Sequence, residues 1–282
     1  MKNNEAIGQR SLKAKGFIGS YKWLILRRLT QLLTMMLFLL GPVAGIWIIK
    51  GNLASSLILD TVPLAEPLYV LQAFAAGILP HSTALIGVLI IITFYGLLGG
   101  RVYCSWFCPV NVVTDSADWL REKLSLTGSI SVSRNTRYWI LAIVVILPAI
   151  TGTMAYESLN PVPMLHRAII FGSFSALSVI LAIFVFDLFI QKKGWCGHLC
   201  PMGALYKLIG SFSLVGVKAD KRSDCDDCMD CFIVCPEPQV IKPALKGEQK
   251  NIEPVIKDSS CTNCGRCIDI CHKDVFHFGI RK

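Results

Sequence analysis

The sequence predicts a mostly α-helical protein in two parts, a bundle of apolar membrane-spanning helices followed by a small polar α+β domain. Of its 282 residues, 53% are hydrophobic and only 17% are charged, which is too apolar for a soluble domain of this length. Long apolar runs recur along the chain as far as Ile190. Beyond Ile190 the composition becomes polar and rich in cysteine, which separates the two parts.

Four apolar runs are long enough, alone or with their flanks, to cross a bilayer. They cover residues 29–49, 82–99, 138–154 and 168–190. A spanning helix needs about 20 apolar residues, with a range of roughly 17 to 25, so the first and last runs suffice and the middle two need flanking residues. The runs predict a four-helix transmembrane bundle. Its membrane domain is expected at 29–215, after a basic segment at 1–28.

The orientation follows from the basic residues, because the cytoplasmic flanks of membrane helices collect Lys and Arg. These residues number seven in 1–28, one in 50–81, five in 100–137, one in 155–167 and fourteen in 191–282. The alternation predicts a multi-pass protein with both termini in the cytoplasm. Much of the net charge of +9 is then topological and does not indicate a nucleic-acid partner.

With this topology, all twelve cysteines lie on the cytoplasmic side, where structural disulfides do not persist. Metal ligands or redox thiols are therefore the expected roles. The stretches CDDCMDCFIVCP (225–236) and CTNCGRCIDIC (261–271) repeat the spacing C-x2-C-x2-C-x3-C of bacterial two-cluster ferredoxins. In that spacing each run gives three thiolates to one [4Fe-4S] cluster and its fourth cysteine to the other. A ferredoxin-like domain is expected at 216–282.

The crossing pattern predicts the ligands of each cluster. The first cluster takes Cys225, Cys228, Cys231 and Cys271, and the second takes Cys261, Cys264, Cys267 and Cys235. A pair of zinc sites is the alternative, although zinc sites usually space their C-x2-C pairs more widely. His272 replaces the proline that usually follows the fourth cysteine, which leaves ligation intact. The stretch between the two runs, residues 237–255, is expected to form a hairpin or loop.

The other four cysteines belong to two copies of a CxxxCP motif, in YCSWFCPV (103–110) and WCGHLCPM (195–202). The copies stand 92 residues apart and each closes a pair of apolar runs, which predicts a parallel repeat of a two-helix unit. Glycines before each motif predict a helix end with a glycine cap. Pro109 and Pro201 predict the start of interfacial helices.

The two motifs are expected to bring Cys104, Cys108, Cys196 and Cys200 together at the cytoplasmic face of the membrane. Three interpretations stay open. The thiolates form a third site for a cluster or another metal, because converging thiolates bind soft metals strongly. Alternatively, they carry out reversible dithiol chemistry, helped by helix N-termini that lower thiol pKa values. Finally, they are inert packing residues.

Two clusters in one small domain predict that this domain transfers electrons. The membrane part must then supply those electrons. The outer segments 58–74 and 157–172 are apolar and rich in proline, and they are expected to lie along the outer surface or to fold into the bundle. A quinol site needs an apolar slot with one or two groups that accept protons. His166 and Arg167 are the first candidates, with Glu157 nearby in sequence. In an equally open alternative, these two residues form no quinol site: Arg167 marks the membrane boundary and His166 faces water.

Asp187 is a further candidate for proton handling, because carboxylates inside a membrane segment are usually functional. It lies near the inner end of the fourth run, where it is also expected to reach water by itself. Glu66 and Asp60 are the other acidic groups of the outer segments.

The chain resembles a known family. Four features carry the resemblance: the stretches YCSWFCPVN and WCGHLCPMG, the outer PVPMLHRAIIFG segment and the C-terminal two-cluster domain. They are similar to those of NapH-type polytopic subunits of the quinol dehydrogenase that feeds periplasmic nitrate reductase. The resemblance covers nearly the whole chain. It implies quinol oxidation in the bacterial inner membrane, a separate periplasmic iron-sulfur subunit and a multihaem cytochrome downstream. Membrane ferredoxins of methylamine dehydrogenase maturation share parts of the pattern.

The expected function is electron transfer from quinol through iron-sulfur centres to a periplasmic reductase pathway, as the membrane component of a quinol dehydrogenase. The alternative is a maturation factor that supplies reducing power for inserting a metal or cofactor into an exported enzyme. The chain carries no glycine-rich nucleotide loop, hydrolytic triad or nucleic-acid module.

Overall fold

The computed structural model describes residues 7–126, 130, 132–172 and 175–281, and these residues are mostly helical. The chain divides into two compact units. The first unit consists of Met1–Thr30, Tyr95–Trp106 and Ile209–Lys282. The second unit consists of Gln31–Phe94 and Phe107–Leu208. The basic N-terminal segment and the residues before the first CxxxCP motif thus belong to the same unit as the C-terminal cysteine runs.

The described α-helices, in chain order, are α1 (Gln9–Ala44), α2 (Pro67–Ala75), α3 (Ser82–Leu98), α4 (Val102–Trp106), α5 (Val110–Lys123), α6 (Thr136–Thr151), α7 (Pro161–Phe171), α8 (Ser175–Val185), α9 (Pro201–Ile209), α10 (Asp230–Val234), α11 (Ile241–Lys246) and α12 (Arg266–Ile270). The strands are β1 (Ile49–Gly51), β2 (Ser55–Ile58), β3 (Val62–Ala65), β4 (Val215–Lys218) and β5 (His277–Ile280). Short π-helical segments cover Phe186–Ile190 and Trp195–Leu199.

Among the described residues, α1 is the one helix that is both long and apolar enough to cross a membrane. It is interrupted at Gly16 and ends at Ala44, five residues before the predicted end of the first run. Three shorter apolar helices are Ser82–Leu98, Thr136–Thr151 and Leu177–Ile190.

The fourth predicted run, 168–190, is not one helix, because α7 ends at Phe171 and Gly172 adopts the left-handed conformation that closes it. Residues 173 and 174 of that run lie outside the described residues.

Part of the segment predicted to lie outside the membrane, residues 58–74, forms β-strands in the second unit. Strands β1, β2 and β3 form an antiparallel sheet in that order, in which Lys50 pairs with Leu57 and Leu57 with Pro63. The sheet was not predicted, because a proline-rich apolar stretch lacks the alternation of a half-buried strand. Helix α2 follows and buries Leu68 and Val70.

The first unit has its own core beneath the antiparallel pair β4–β5. Its buried residues are Val217, Ala219, Cys231, Val240, Ile241, Ala244, Leu245, Ile256, Cys267, Val275 and Phe276. The expectation of a hairpin or loop at 237–255 was wrong, because Ile241–Lys246 is a helix. Ile241, Ala244 and Leu245 recur at helical spacing and are buried, and this apolar stripe outweighs the proline at position 243 inside the helix.

The helix ends around the CxxxCP motifs agree with prediction at three points of four. α3 ends at Leu98 and Gly99 has φ +123°, while new helices begin at Val110 and Pro201.

The glycine cap expected at Gly194 was wrong. Gly194 has φ −61°, and Lys193 carries the positive φ instead, at +54°. The ammonium group of Lys193 is buried in ion pairs with Asp115 and Asp118, and these contacts stabilise a conformation that a non-glycine residue rarely adopts.

Candidate metal centres

Four cysteines from both runs line one cavity in the first unit. They are Cys225, Cys228, Cys231 and Cys271. Cys225 and Cys228 precede the short helix α10, Cys231 lies in its first turn, and Cys271 follows the end of α12. The fourth cysteine of the second run therefore lies with the first three of the first run.

A second cavity in the same unit has the same donor set. Its cysteines are Cys235, Cys261, Cys264 and Cys267. The empty volumes of the two cavities are similar, about 380 and 350 Å³. Each cavity thus presents four sulfur atoms in the crossed arrangement that two [4Fe-4S] clusters require.

The chemistry of the thiols fits a cationic metal group. Burial and the neighbouring Cys228 raise the pKa of Cys231 to about 12, and burial and Cys264 raise the pKa of Cys261 to about 11. Burial and the surrounding cysteines likewise raise the pKa of Cys267. The thiolates need a positive partner to be stable together, and the iron ions of a cluster provide one.

The loop between Cys261 and Cys264 makes hydrogen bonds with the segment that contains Cys104. The hydroxyl of Ser105 donates to the carbonyl oxygen of Thr262 at 2.7 Å, and Nε1 of Trp106 donates to that of Asn263 at 3.1 Å. In return, Nδ2 of Asn263 donates to the carbonyl oxygens of Leu98 and Val215.

A buried ion pair lies at the start of the segment that contains Cys104. Nη1 of Arg101 lies 2.5 Å from Oε1 of Glu237 and also donates to the carbonyl oxygen of Ser260. Both side chains are at most 2% exposed. Glu237 also lines the second cavity, so this pair joins the residue just before α4 to the wall of that cavity.

Helix α1 covers the second cysteine run from another direction. The carboxylate of Asp269 accepts hydrogen bonds from the backbone amides of Trp23 and Leu24, at 3.1 and 3.0 Å. The ring of Trp23 lies directly over Gly265, where an added Cβ would be only 2.5 Å from Cγ of Trp23. Gly265 has φ +74°, so both its conformation and its surroundings require glycine.

The first cavity is lined by charged residues of both signs, because Lys273 lines it beside two aspartates. Asp226 and Asp227 line it, and both are exposed. Nε2 of His272 lies 3.1 Å from Asp226, so the residue that replaces the usual proline joins the second cysteine run to the first. Asp226, Cys228 and His272 bring ligand atoms close together, but Cys228 already lines the cluster cavity.

The CxxxCP cysteines are divided between the units: Cys104 lies in the first, and Cys108, Cys196 and Cys200 lie in the second. Sγ of Cys200 accepts a hydrogen bond from the backbone amide of Gly203 at 3.5 Å, at the N-terminus of α9. Sγ of Cys196 lies 3.8 Å from the hydroxyl of Thr114. A four-thiol site remains a prediction.

The candidate proton groups have different surroundings in the second unit. His166 is 1% exposed, with its ring edge-on to Phe38 at 4.7 Å between centroids, so the alternative in which it faces water was wrong. Arg167 is exposed. Asp187 is 1% exposed, and its Oδ1 accepts the backbone amide of Trp195, so its expected access to water was also wrong.

Two further polar residues of the second unit were not among the first candidates. Glu66 is 5% exposed, and Glu66 Oε1, Tyr156 OH and Glu157 Oε2 are buried without a hydrogen-bond partner among the described residues. Burial and the neighbouring Glu157 raise the pKa of Glu66 to about 8. Burial raises the pKa of Tyr156, and nearby Cys200 and Glu66 raise it further. The sequence did offer one signal for Glu66, because it is an acidic residue in an apolar segment. No sequence signal distinguished Tyr156 as a candidate site residue.

Comparison with known proteins places these cysteines in recognised domains. A family model described as a 4Fe-4S binding domain matches twice, at residues 81–127 and 173–219, and a 4Fe-4S dicluster domain matches residues 224–275. The two matches of the first model have the same 92-residue offset as Cys104 and Cys196, which supports the repeat. No solved structure matches the chain.

Relatives match over almost the full chain. The "Ferredoxin-type protein NapH" of Escherichia coli (strain K12) is 46% identical over 95% of this chain and 93% of its own. The NapH protein of Haemophilus influenzae is 45% identical over 97% and 95%. The "Methylamine utilization ferredoxin-type protein MauN" of Paracoccus denitrificans is 48% identical over 89% and 88%. The predicted resemblance is confirmed, and the chain belongs to the NapH family of ferredoxin-type iron-sulfur proteins, whose 4Fe-4S domains serve electron transfer.

Proposed function

We propose that this protein passes electrons from quinol through iron-sulfur centres to a periplasmic reductase pathway of the nitrate reductase type. The observation that carries the proposal is the pair of four-cysteine cavities in the first unit, whose second member is hydrogen-bonded to the segment around Cys104. The names of the NapH relatives support the choice of pathway. A periplasmic iron-sulfur subunit and a multihaem cytochrome are the proposed partners.

The proposed location is the bacterial inner membrane, with four spans and both termini in the cytoplasm. Helix α1 and the three shorter apolar helices support it. Large apolar side chains are exposed on these helices, among them Met36, Leu89, Ile143 and Leu181, each between 60% and 66% exposed. Such surfaces are costly in water and match lipid. The alternation of basic residues gives the orientation.

The quinol site is proposed among the buried polar groups of the second unit. Oxidation releases two electrons and two protons, so a site needs proton acceptors in an apolar pocket. Burial and Arg167 lower the pKa of His166 to about 4, so its imidazole is neutral and is proposed to accept a hydrogen bond from a quinol hydroxyl, while the proton itself passes to a stronger base. Burial raises the pKa of Glu157, but Arg167 counteracts this effect and favours its carboxylate. Glu66, mostly protonated at neutral pH, is left as a hydrogen-bond donor to a quinol or quinone oxygen.

Asp187 is proposed to have a positioning role beside the second CxxxCP motif. Its carboxylate holds the amide of Trp195, and Arg121 donates to the carbonyl oxygens of Asp187 and Leu188. These contacts fix the turn that carries Cys196. The CxxxCP thiols are proposed to relay electrons, and the 4Fe-4S description of the model that matches both copies favours a metal-binding role over inert packing.

The test is reduction of the clusters by quinol in reconstituted protein, followed by electron paramagnetic resonance. We expect quinol-dependent cluster reduction that slows in H166F and E157Q, while dithionite still reduces the clusters of both variants. H81F is the matched control, because His81 is an exposed histidine of the same unit. Clusters that dithionite reduces but quinol leaves oxidised, with the partner subunit present, would overturn the proposal.

A second candidate is a maturation factor that supplies reducing power to an exported enzyme. Relatives named for methylamine utilization are as similar to this chain as the NapH proteins are, so the similarity does not tie the chain to nitrate reduction alone. Deletion separates the two functions. A client reductase that stays inactive with artificial electron donors indicates maturation, whereas one that is fully active with them indicates electron transfer.

A further inference from the structure

Helices α2 and α7 occupy equivalent places in the two repeats of the second unit. Each precedes an apolar helix, α3 or α8, that leads to a CxxxCP motif. Each begins with proline and is followed closely by a glycine with positive φ, Gly77 after α2 and Gly172 after α7. The residues before the prolines, Glu66 and Asn160, are 94 residues apart. Because the two matches to the 4Fe-4S binding domain begin only at residues 81 and 173, these helices extend the repeat further.

Gln72 and His166 occupy the same position in these two helices. They are also 94 residues apart, and each is 1% exposed. Oε1 of Gln72 and both ring nitrogens of His166 have no hydrogen-bond partner among the described residues. Buried polar atoms are nearly always hydrogen-bonded in folded proteins, so two equivalent residues with unpaired atoms indicate a polar ligand.

Each of these helices packs on the other repeat. Helix α2 packs against α6, the first helix of the second repeat. In α7, the ring of His166 contacts that of Phe38 in α1, the first helix of the first repeat. The starts of α2 and α7 are also near each other, since Glu157 acts electrostatically on Glu66. Gln72 and His166 therefore lie at the interface between the repeats, where transporters built from repeats bind their substrates.

The unpaired atom of Gln72 is an acceptor. Nε2 of its amide donates to the carbonyl oxygen of Leu68, one turn earlier in α2, at 3.3 Å. A carbonyl oxygen only accepts, so this contact fixes the orientation of the amide and leaves Oε1 unpaired. Oε1 therefore selects a ligand that carries a hydroxyl donor. A quinol has such a donor at each end of its ring, whereas a quinone has only acceptors.

We infer that Gln72 and His166 are the two equivalent polar positions of one site, and that each accepts a hydrogen bond from one hydroxyl of the same quinol ring. A ring with like groups at opposite ends matches a pair of like positions related by duplication. Gln72 does not ionise, so it recognises the reduced ligand and takes no part in removing its protons. Oxidation removes the donor that faces Gln72, which favours release of the quinone. The inference rests on the proposed function for its choice of ligand.

The test is ligand binding by the full-length, iron-loaded protein, reduced with dithionite and then freed of the excess under anaerobic conditions. The probe is heptyl-hydroxyquinoline N-oxide, a quinol analogue whose fluorescence is quenched on binding. Menadiol and its dimethyl ether compete with it, and the ether has the same ring but no hydroxyl donor. We expect one probe molecule per chain. Q72M, which keeps the length of the side chain, should weaken menadiol binding about tenfold and change the affinity for the ether less than about twofold.

Three controls accompany the test. Iron per chain must equal the wild-type value in each variant, and Q72L replaces Q72M if the latter loses iron. Q72H returns an acceptor of the kind that the second repeat uses, so it should bind menadiol more tightly than Q72M. Q249L replaces an exposed glutamine of the first unit and should have wild-type affinity.

Several results would overturn the inference. They are a wild type that does not bind the probe, two probe molecules per chain, and a Q72M variant in which menadiol and the ether weaken alike or not at all. Loss of menadiol binding in H166F but not in Q72M would also overturn it, while leaving a quinol site at His166. Conversely, menadiol that binds through Gln72 without reducing the clusters would support the inference and contradict the proposed function.

Discussion

Nε1 of Trp106 donates a hydrogen bond to the backbone carbonyl oxygen of Asn263, with a nitrogen–oxygen distance of 3.1 Å. Trp106 lies inside the first CxxxCP motif, and Asn263 lies between two cysteines of the second cavity. One hydrogen bond thus connects two cysteine motifs that are more than 150 residues apart in sequence. Trp23 makes an edge-to-face contact with the same indole, at 6.2 Å between ring centroids.

W106F leaves an aromatic ring facing Trp23 but removes the indole donor together with one ring of the side chain. The carbonyl oxygen of Asn263 then lacks this partner, so we expect a loss of about 1 kcal/mol in the free energy of unfolding. Thermal unfolding of the iron-loaded protein measures it, with W119F as control, because Trp119 is 62% exposed. Equal stability of W106F and W119F would show that the bond contributes nothing.

G265A is expected to disturb the second cluster. The added Cβ would lie 2.5 Å from Trp23, in a loop where the φ of +74° already disfavours alanine. We expect iron per chain to fall toward half of the wild-type value, with the signal of the first cluster retained. G152A is the matched control, because Gly152 has φ +65° but no atom near the position of a Cβ. Normal iron content in G265A would contradict the packing described for Trp23.

Sequence spacing was sufficient to group the eight C-terminal cysteines, because short loops around a cluster constrain which sulfurs can meet. Sequence spacing did not reveal the helix at 241–246, where Pro243 resembles a loop signal but the buried apolar stripe of Ile241, Ala244 and Leu245 stabilises a helix. Long-range packing was also invisible to local patterns. Nothing near Tyr156 or Glu66 in sequence indicates that both are buried and close to each other.

The buried Glu66 predicts a pH dependence of stability. Its pKa in the folded protein is about 8, above the ordinary value of 4.5, mainly because burial disfavours the charged form. The folded state therefore holds this proton more tightly, so its contribution to stability is complete below about pH 4.5 and is lost as the pH rises toward 8.

E66Q should remove this component. We expect the wild type in detergent to unfold several degrees lower at pH 8.5 than at pH 6, and E66Q to show a clearly smaller difference. The slope expected for one proton is about 1.4 kcal/mol per pH unit. D60N is the control, since Asp60 is exposed and pairs with Lys50. An identical pH dependence in E66Q and wild type would argue against a buried neutral Glu66.

The crossed arrangement of the cysteines predicts which pairs of cysteine variants lose the same cluster. These pairs differ from those expected if each cysteine run held its own cluster. Cys235 belongs to the first run but lines the cavity of Cys261, Cys264 and Cys267, while Cys271 lines the cavity of Cys225. C235S should therefore weaken the same paramagnetic signal as C261S, and C271S the same signal as C225S. Spectra of the four single variants, each compared with iron per chain, measure this. If C235S and C225S remove one signal and C271S and C261S the other, each run holds its own cluster and the crossed ligation is wrong.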